Sequence, residues 1–139
     1  IETELATFET QSPGWENWDS VHIQECRLVA KVNQHVVGWA ALSAVSKRQV
    51  YKGVAEVSIY VKNDFRGKGL GKLLFQELIA AAESEGFWTL QSSVFRENVA
   101  TIALHKSMGF REIGYREKVA QLHGIWRDTV LLERRSKTV

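Results

Sequence analysis

Three cations and three glycines crowd one short stretch, "DFRGKGLGKLL" (residues 64–74), where a strand-like segment gives way to a helix-like one. Arg66, Lys68 and Lys72 sit around a helix start, where each cation opposes the macrodipole by about 0.3–1 kcal/mol. A bound anion would reverse that sign. Gly67, Gly69 and Gly71 let main-chain N–H groups turn toward a ligand with no Cβ in the way, so the loop and helix end together make a phosphate cradle, with a diphosphate as the expected guest. Ten residues before Arg66, Glu56 stands inside "VAEVSIYVK" (residues 54–62). Period-two alternation puts Val54, Glu56, Ser58 and Tyr60 on one face and the core-like Ala55, Val57, Ile59 and Val61 on the other. A glutamate there is poor for strand propensity and, if enclosed, for solvation. It either meets a ligand or sits exposed or salt-bridged.

The elements that must hold these groups are legible from periodicity. "PGWENWDSV" (13–21) opens with proline at a first-turn position and acids behind it, a short helical turn. "CRLVAKVN" and "HVVGWAALSAV" read as two strands joined by a tight turn at Asn33-Gln34. "SKRQVYKG" is a loop or short helix, and strand 54–62 follows. From Gly69 to Glu85 the recurrence of Leu70, Leu73, Leu74, Leu78 and Ala81 predicts an amphipathic helix that stops at Gly86. "WTLQSSVF" (88–95) is a strand and "ENVATIALHKSMG" (97–109) a helix. "FREIGYREKVA" and "IWRDTVLLER" form a terminal strand pair separated by His123-Gly124. The order predicts a mixed α/β (α+β) domain around one sheet, with no linker or repeat to divide residues 1–139 into more than one domain.

Spacing narrows the identity of the diphosphate. A Walker loop fails, since five residues past Gly67 lies Lys72, and a Gly-x-Gly-x-x-Gly fingerprint fails at Lys72 or Leu74. What fits is Arg-x-x-Gly-x-Gly, with Arg66, Gly69 and Gly71 between a strand and a long helix. This resembles the acyl-CoA loop of the GNAT N-acetyltransferase superfamily. The segment "NVATIALHKSMGF" (98–110) is similar to a second motif of that family, and "ATFET", "AEVSIYV", "LHKSMGF" and "GIWRDTVLLER" together look like its phosphinothricin acetyltransferase branch. The resemblance covers nearly the whole chain. It implies a mostly antiparallel central sheet, flanked by helices and splayed between strands 54–62 and 88–95, with the coenzyme's pantetheine arm in the opening. It also implies an opening strand and helix ahead of "ATFET", for which only a few residues lie upstream of Ala6.

Residue roles follow from that resemblance. Arg66, Gly67, Lys68, Gly69, Leu70 and Gly71 would wrap the diphosphate of acetyl-CoA. Ile59, Tyr60 and Val61 would hold the acyl and pantetheine portions through backbone bonds, with an N–H near Tyr60 or Val61 facing the thioester oxygen. Asn98 would touch the pantetheine arm. Glu56 would contact the acceptor and serve as general base through water, because a carboxylate of ordinary pKa near 4.3 matches an alkyl ammonium poorly. His105 stands where many relatives place a tyrosine; either it protonates the departing thiolate or it is a structural histidine bonded on its helix. Lys52 lies near the place of an arginine that holds a substrate carboxylate; lysine pairs without the planar fork, and an exposed loop lysine is the alternative. Trp39 and Trp126 are candidates to line an acceptor pocket, although tryptophan is mostly core.

Composition excludes other classes. A net charge of +2, evenly mixed, lacks the basic stripe of a nucleic-acid surface. No apolar run is long enough to span a bilayer, and no signal-like segment opens the chain, so a cytoplasmic location is expected. Cys26 is the single cysteine, which rules out an intrachain disulfide and leaves no thiolate set for a metal; none is expected. The expected activity is transfer of acetyl from acetyl-CoA to the primary amine of a small molecule, an amino acid or an analogue of the phosphinothricin or methionine sulfone type, by direct attack. The rivals are acetylation of a protein N-terminus or lysine, a non-catalytic CoA sensor, and a phosphate-binding turn in an unrelated fold. A homodimer is the expected assembly.

Overall fold

A computed structural model describes residues 15–139. The stretch "ATFET", the threonine-rich start and Pro13 therefore lie outside the described residues. The order is α1 (Trp15–Val21), β1 (Leu28–Val32), β2 (His35–Ala44), β3 (Val54–Val61), α2 (Leu70–Ser84), β4 (Thr89–Phe95), α3 (Val99–Ser107), β5 (Arg111–Leu122) and β6 (Ile125–Arg135). Single 3-10 turns cover Gln49–Tyr51 and Asn63–Phe65. The six strands form one sheet in the order β1-β2-β3-β4-β6-β5, antiparallel throughout except between β3 and β4.

The first hairpin turns at Asn33 and Gln34, with φ of 51° and 69°. Positive φ at both central residues is what a two-residue turn needs to match the twist of its strands. His123 and Gly124 repeat this at the β5–β6 tip, at 51° and 76°.

The parallel β3–β4 ladder is short. It pairs Val54 with Thr89, Ala55 with Leu90 and Glu56 with Gln91, and goes no further. Beyond it β3 continues to Val61 along β2, while β4 continues to Phe95 along β6. The sheet is thus splayed at the C-terminal ends of β3 and β4, as the family resemblance implies. At the closed end the Gly53 carbonyl accepts from the N–H groups of Trp88 (2.8 Å) and Thr89 (3.1 Å). A Cβ on Gly53 would lie 2.1 Å from the Trp88 ring, so only glycine lets the indole seat there.

The core lies on one face of the sheet under α2. Ala40, Leu42, Ala55, Val57, Leu90, Val94, Val130 and Leu132 meet Leu74, Phe75, Leu78, Ile79 and Ala82 of α2 and Phe110 after α3. The buried stripe of α2 is rotated from the one the leucine spacing suggests. Phe75 and Ile79 join it, whereas Leu73 is 53% exposed. Leu73 instead borders an open groove beside Leu28, Val29 and Ala30 of β1. On the opposite face α1 brings Trp18 edge-on to Trp39 of β2 at 5.3 Å between ring centres.

Candidate active site

The glycine loop has a backbone geometry that can seat an anion. Gly67 and Gly69 have φ of 76° and 83°, and a Cβ on either would meet open space, so backbone conformation rather than crowding calls for glycine. Gly69 is the N-cap of α2 and offers no side-chain cap, and the first turn contains no acid. The first intrahelical bond runs from the Leu73 N–H to the Gly69 carbonyl at 3.0 Å, which leaves the N–H groups of Leu70, Gly71 and Lys72 without a helical acceptor. Lys68 lies over the Phe65 ring at 5.3 Å. Arg66 donates from Nε to the Val61 carbonyl at 3.1 Å, and none of the three cations makes an ion pair among the described residues.

The ladder register decides which backbone groups of β3 face the opening. The Lys62 N–H donates to the Val37 carbonyl at 2.8 Å, which makes Gly38 and Val61 a non-hydrogen-bonded pair and Trp39 and Tyr60 a hydrogen-bonded one. Tyr60 therefore directs its N–H and C=O to β2. Of the two N–H groups named for the thioester oxygen, that of Tyr60 is taken up by β2 and that of Val61 is not. Ile59 and Val61 direct theirs the other way, where β4 has already diverged. The Val61 carbonyl is engaged by Arg66; the N–H groups of Ile59 and Val61 and the carbonyl of Ile59 look into the gap.

Glu56 sits at the apex of the splay, half-buried on the face opposite the core. Its neighbours across the ladders are Ser43 on β2 and Gln91 on β4. One strand further, Glu133 is neutralised by Arg111 at 2.7 Å. Glu56 has no ion pair or side-chain hydrogen bond among the described residues, and burial pushes its carboxyl above the ordinary 4.5. Sequence reasoning missed Ser43 and Gln91. The β2–β3 and β3–β4 registers that bring them beside Glu56 depend on loop geometry that no local pattern encodes.

His105 is 4% exposed, one edge against Phe75 at 4.8 Å and another against Phe110 at 5.1 Å. Nδ1 lies 2.8 Å from the Thr101 carbonyl, an acceptor only, so Nδ1 carries the proton and Nε2 the lone pair. Nε2 is buried with no partner among the described residues, and desolvation pushes the imidazole pKa below its usual 6.5. Asn98 is the N-cap of α3, its Oδ1 accepting from the Thr101 N–H at 3.4 Å. Lys52 is exposed at the end of the Gln49–Tyr51 turn.

Trp39 is half-buried among Trp18, His22 and Tyr60, on the Glu56 face and four residues along β2 from Ser43. Trp126 is 55% exposed beyond the last β4–β6 pair. It stands seven residues along β6 from Glu133, the position level with Gln91, or about 23 Å at strand rise. The fold does not bring it to Glu56.

Comparison with known proteins agrees with this geometry. The family model described as "Acetyltransferase (GNAT) family" matches residues 2–110. The L-methionine sulfoximine/L-methionine sulfone acetyltransferase of Pseudomonas paraeruginosa is 35% identical over 98 residues, 70% of this chain and 57% of that protein. The chain thus spans little more than half the length of that curated relative. The crystal structure of a GNAT superfamily phosphinothricin acetyltransferase from Sinorhizobium meliloti in complex with AcCoA matches with a TM-score of 0.84 and 29% identity, covering 94% of this chain and 74% of that one. A ribosomal-protein-alanine N-acetyltransferase from Brucella melitensis matches with a TM-score of 0.85 and 30% identity, covering 97% and 86%. With its Arg-x-x-Gly-x-Gly loop at the start of α2, its splayed β3 and β4 and this family match, the chain belongs to the GNAT acetyltransferase family.

Proposed function

We propose that this chain transfers acetyl from acetyl-CoA to the primary amine of a small, amino-acid-like molecule by direct attack. The observation that carries the reading is the end of the β3–β4 ladder at Glu56 and Gln91. It leaves the backbone of Ile59 and Val61 facing a gap whose mouth is the cationic α2 N-terminus. A relative that acts on methionine sulfoximine and sulfone, and another crystallised with AcCoA, support the choice of donor and acceptor class.

Acetyl-CoA supplies an activated thioester, and this chain's residues do the rest. The N–H groups of Leu70, Gly71 and Lys72, opened by Gly67 and Gly69, hold the diphosphate with the outer guanidinium nitrogens of Arg66 and the ammonium groups of Lys68 and Lys72. Ile59 binds the pantetheine amides as an added strand would. The Val61 N–H faces the acyl oxygen and stabilises the charge that develops on it. Asn98 fixes the start of α3 beside the arm. Glu56 accepts the amine proton through water, its raised pKa making it a better base than an ordinary carboxylate. The burial of His105 and its Thr101 bond favour the structural role over proton donation, so the C–S bond breaks with CoA departing as the thiolate, which takes its proton from solvent. Lys52 approaches the acceptor's anionic end.

The fold match to a ribosomal-protein-alanine N-acetyltransferase favours a second reading, in which the acceptor is a protein N-terminus. The test is steady-state release of CoA with amino acids, their sulfone, sulfoximine and phosphinate analogues, polyamines and alanine-starting peptides. A kcat/KM at least tenfold higher for the amino-acid analogues supports the first reading, and the reverse ranking the second. We further propose a cytoplasmic enzyme that acts as a single catalytic domain and as a homodimer. The exposed Ile113 and Tyr115 on edge strand β5 support the dimer.

A further inference from the structure

We infer that Arg66 is a positioning residue for the acyl end of the site as well as a diphosphate ligand, because its Nε ties the phosphate loop to the carbonyl of Val61. The inference rests on the acetyltransferase reading above and adds a second job to one of its residues.

The peptide unit between Val61 and Lys62 is held from both sides. Its N–H, on Lys62, donates to the Val37 carbonyl at 2.8 Å, and its C=O, on Val61, accepts from Arg66 Nε at 3.1 Å. It is the last unit of β3 before the chain turns into the Asn63–Phe65 turn and the glycine loop. β4 has already left the ladder five residues earlier, so no strand bond among the described residues fixes the end of β3 on that side. The Arg66 bond occupies the place where a ladder bond would be. It fixes the orientation of the unit that follows the Val61 N–H, the donor facing the acyl oxygen. A donor aimed in advance stabilises developing charge without reorganising during the reaction.

The geometry of arginine allows both jobs at once. Nε points back to the strand, while the two Nη nitrogens of the planar fork stay free for phosphate oxygens. The phosphate end and the acyl end of the donor are therefore registered by one rigid side chain. Glutamine is the informative replacement. Its amide nitrogen stands the same number of bonds from Cα as Nε, so Arg66→Gln keeps a donor for Val61 and loses the charge and the fork. Arg66→Met keeps the stem and loses every donor.

The experiment uses a donor without a diphosphate, S-acetylpantetheine, alongside acetyl-CoA. A residue that only grips phosphate has nothing to grip in the shorter donor. If Arg66 positions the strand end, Arg66→Met lowers kcat on S-acetylpantetheine by about three- to tenfold, the scale of one net hydrogen bond, and Arg66→Gln restores most of that loss. On acetyl-CoA, Arg66→Gln raises the donor KM with kcat largely kept, whereas Arg66→Met changes both. Equal rates for wild type, Arg66→Met and Arg66→Gln on S-acetylpantetheine would overturn the inference.

Amide NMR of the free proteins gives a readout that needs no turnover. The Val61 and Lys62 signals shift in Arg66→Met and return toward wild type in Arg66→Gln. Signals that stay put in both variants also overturn the inference. Failure of the acetyltransferase reading is seen separately, as a wild type that turns over neither donor while these amide shifts still appear.

Discussion

Replacing Glu56 by glutamine separates the chemistry from the fold. The N–H groups facing the gap belong to Ile59 and Val61, three and five residues along β3, or about 10 and 16 Å at strand rise. On the proposed reading, a carboxylate that far from the acyl oxygen would act on the amine only through bridging water, so its contribution belongs at the lower part of the 10²–10⁴ range for general-base catalysis. Glu56→Gln should lower kcat/KM by about 10²-fold, close to 2.7 kcal/mol, with acetyl-CoA affinity by calorimetry unchanged within twofold. Wild-type kcat/KM should rise with pH through a limb above the ordinary carboxylate value of 4.5, because burial raises this group, and the variant should lack that limb.

Stability should move the other way. The folded pKa lies above the unfolded one, so across the window between them the folded state binds more protons and loses stability as pH rises. Removing this half-buried, unpaired carboxylate should therefore raise the denaturation midpoint at pH 7, with the advantage disappearing below about pH 4.5. A variant that keeps full activity, or loses activity together with stability at pH 7, would refute the reasoning.

The double variant Lys68→Ala/Lys72→Ala should weaken acetyl-CoA binding by tenfold or more and flatten its salt dependence, while the free protein gains a few tenths of a kcal/mol as cations leave the α2 N-terminus; titration calorimetry at two salt concentrations checks the first and chemical denaturation the second. Glu83→Ala should cost about 2 kcal/mol, since Oε2 accepts from Ser136 Oγ at 2.5 Å, Thr138 Oγ1 at 3.2 Å and Arg134 Nη1 at 3.4 Å. The Ser136 bond foremost lowers the Glu83 pKa, with smaller help from Arg134 and Thr138. The difference from wild type should be full above pH 4.5 and shrink as pH falls through the lowered value; a pH-independent difference would contradict this assignment. His105→Phe should leave kcat within threefold and thermal stability equal or higher, because an orphaned Nε2 is replaced by carbon between Phe75 and Phe110. A 30-fold loss of kcat with coenzyme binding intact would restore the proton-donor role.

Much of the scaffold was legible because it is locally encoded. The Asn33-Gln34 and His123-Gly124 turns, the α2 boundaries beside Gly69 and Gly86, and the alternation that sends Glu56 away from Ala55 and Val57 need only neighbouring residues to specify them. What escaped depends on long-range registration. The rotation of α2 that buries Phe75 and Ile79 and exposes Leu73 is set by how the helix packs on β1, β2 and β3, which are distant in sequence. The pairing of Trp39 with Tyr60, which removes Tyr60's backbone from the gap, follows from a β2–β3 register fixed across a nine-residue connection. Ser43 and Gln91 beside Glu56 are invisible for the same reason. The Trp18–Trp39 contact could have been suspected from Trp18 and His22 at i, i+4 spacing, but not its partner strand.

The three-pair seam between Val54–Glu56 and Thr89–Gln91 has a mechanical consequence. Main-chain bonding fastens the half-sheet of β1, β2 and β3 to the half-sheet of β4, β6 and β5 over less than one strand's length, so shear resistance rests on α2, α3 and their shared apolar contacts. On the proposed reading, a guest lodged in the notch would bond to the loose margin of β3 and act as a temporary rung between the halves. Protease resistance and slow amide exchange should therefore spread outward from residues 57–61 and 92–95 when the notch is filled, well before any change reaches the far hairpin tip.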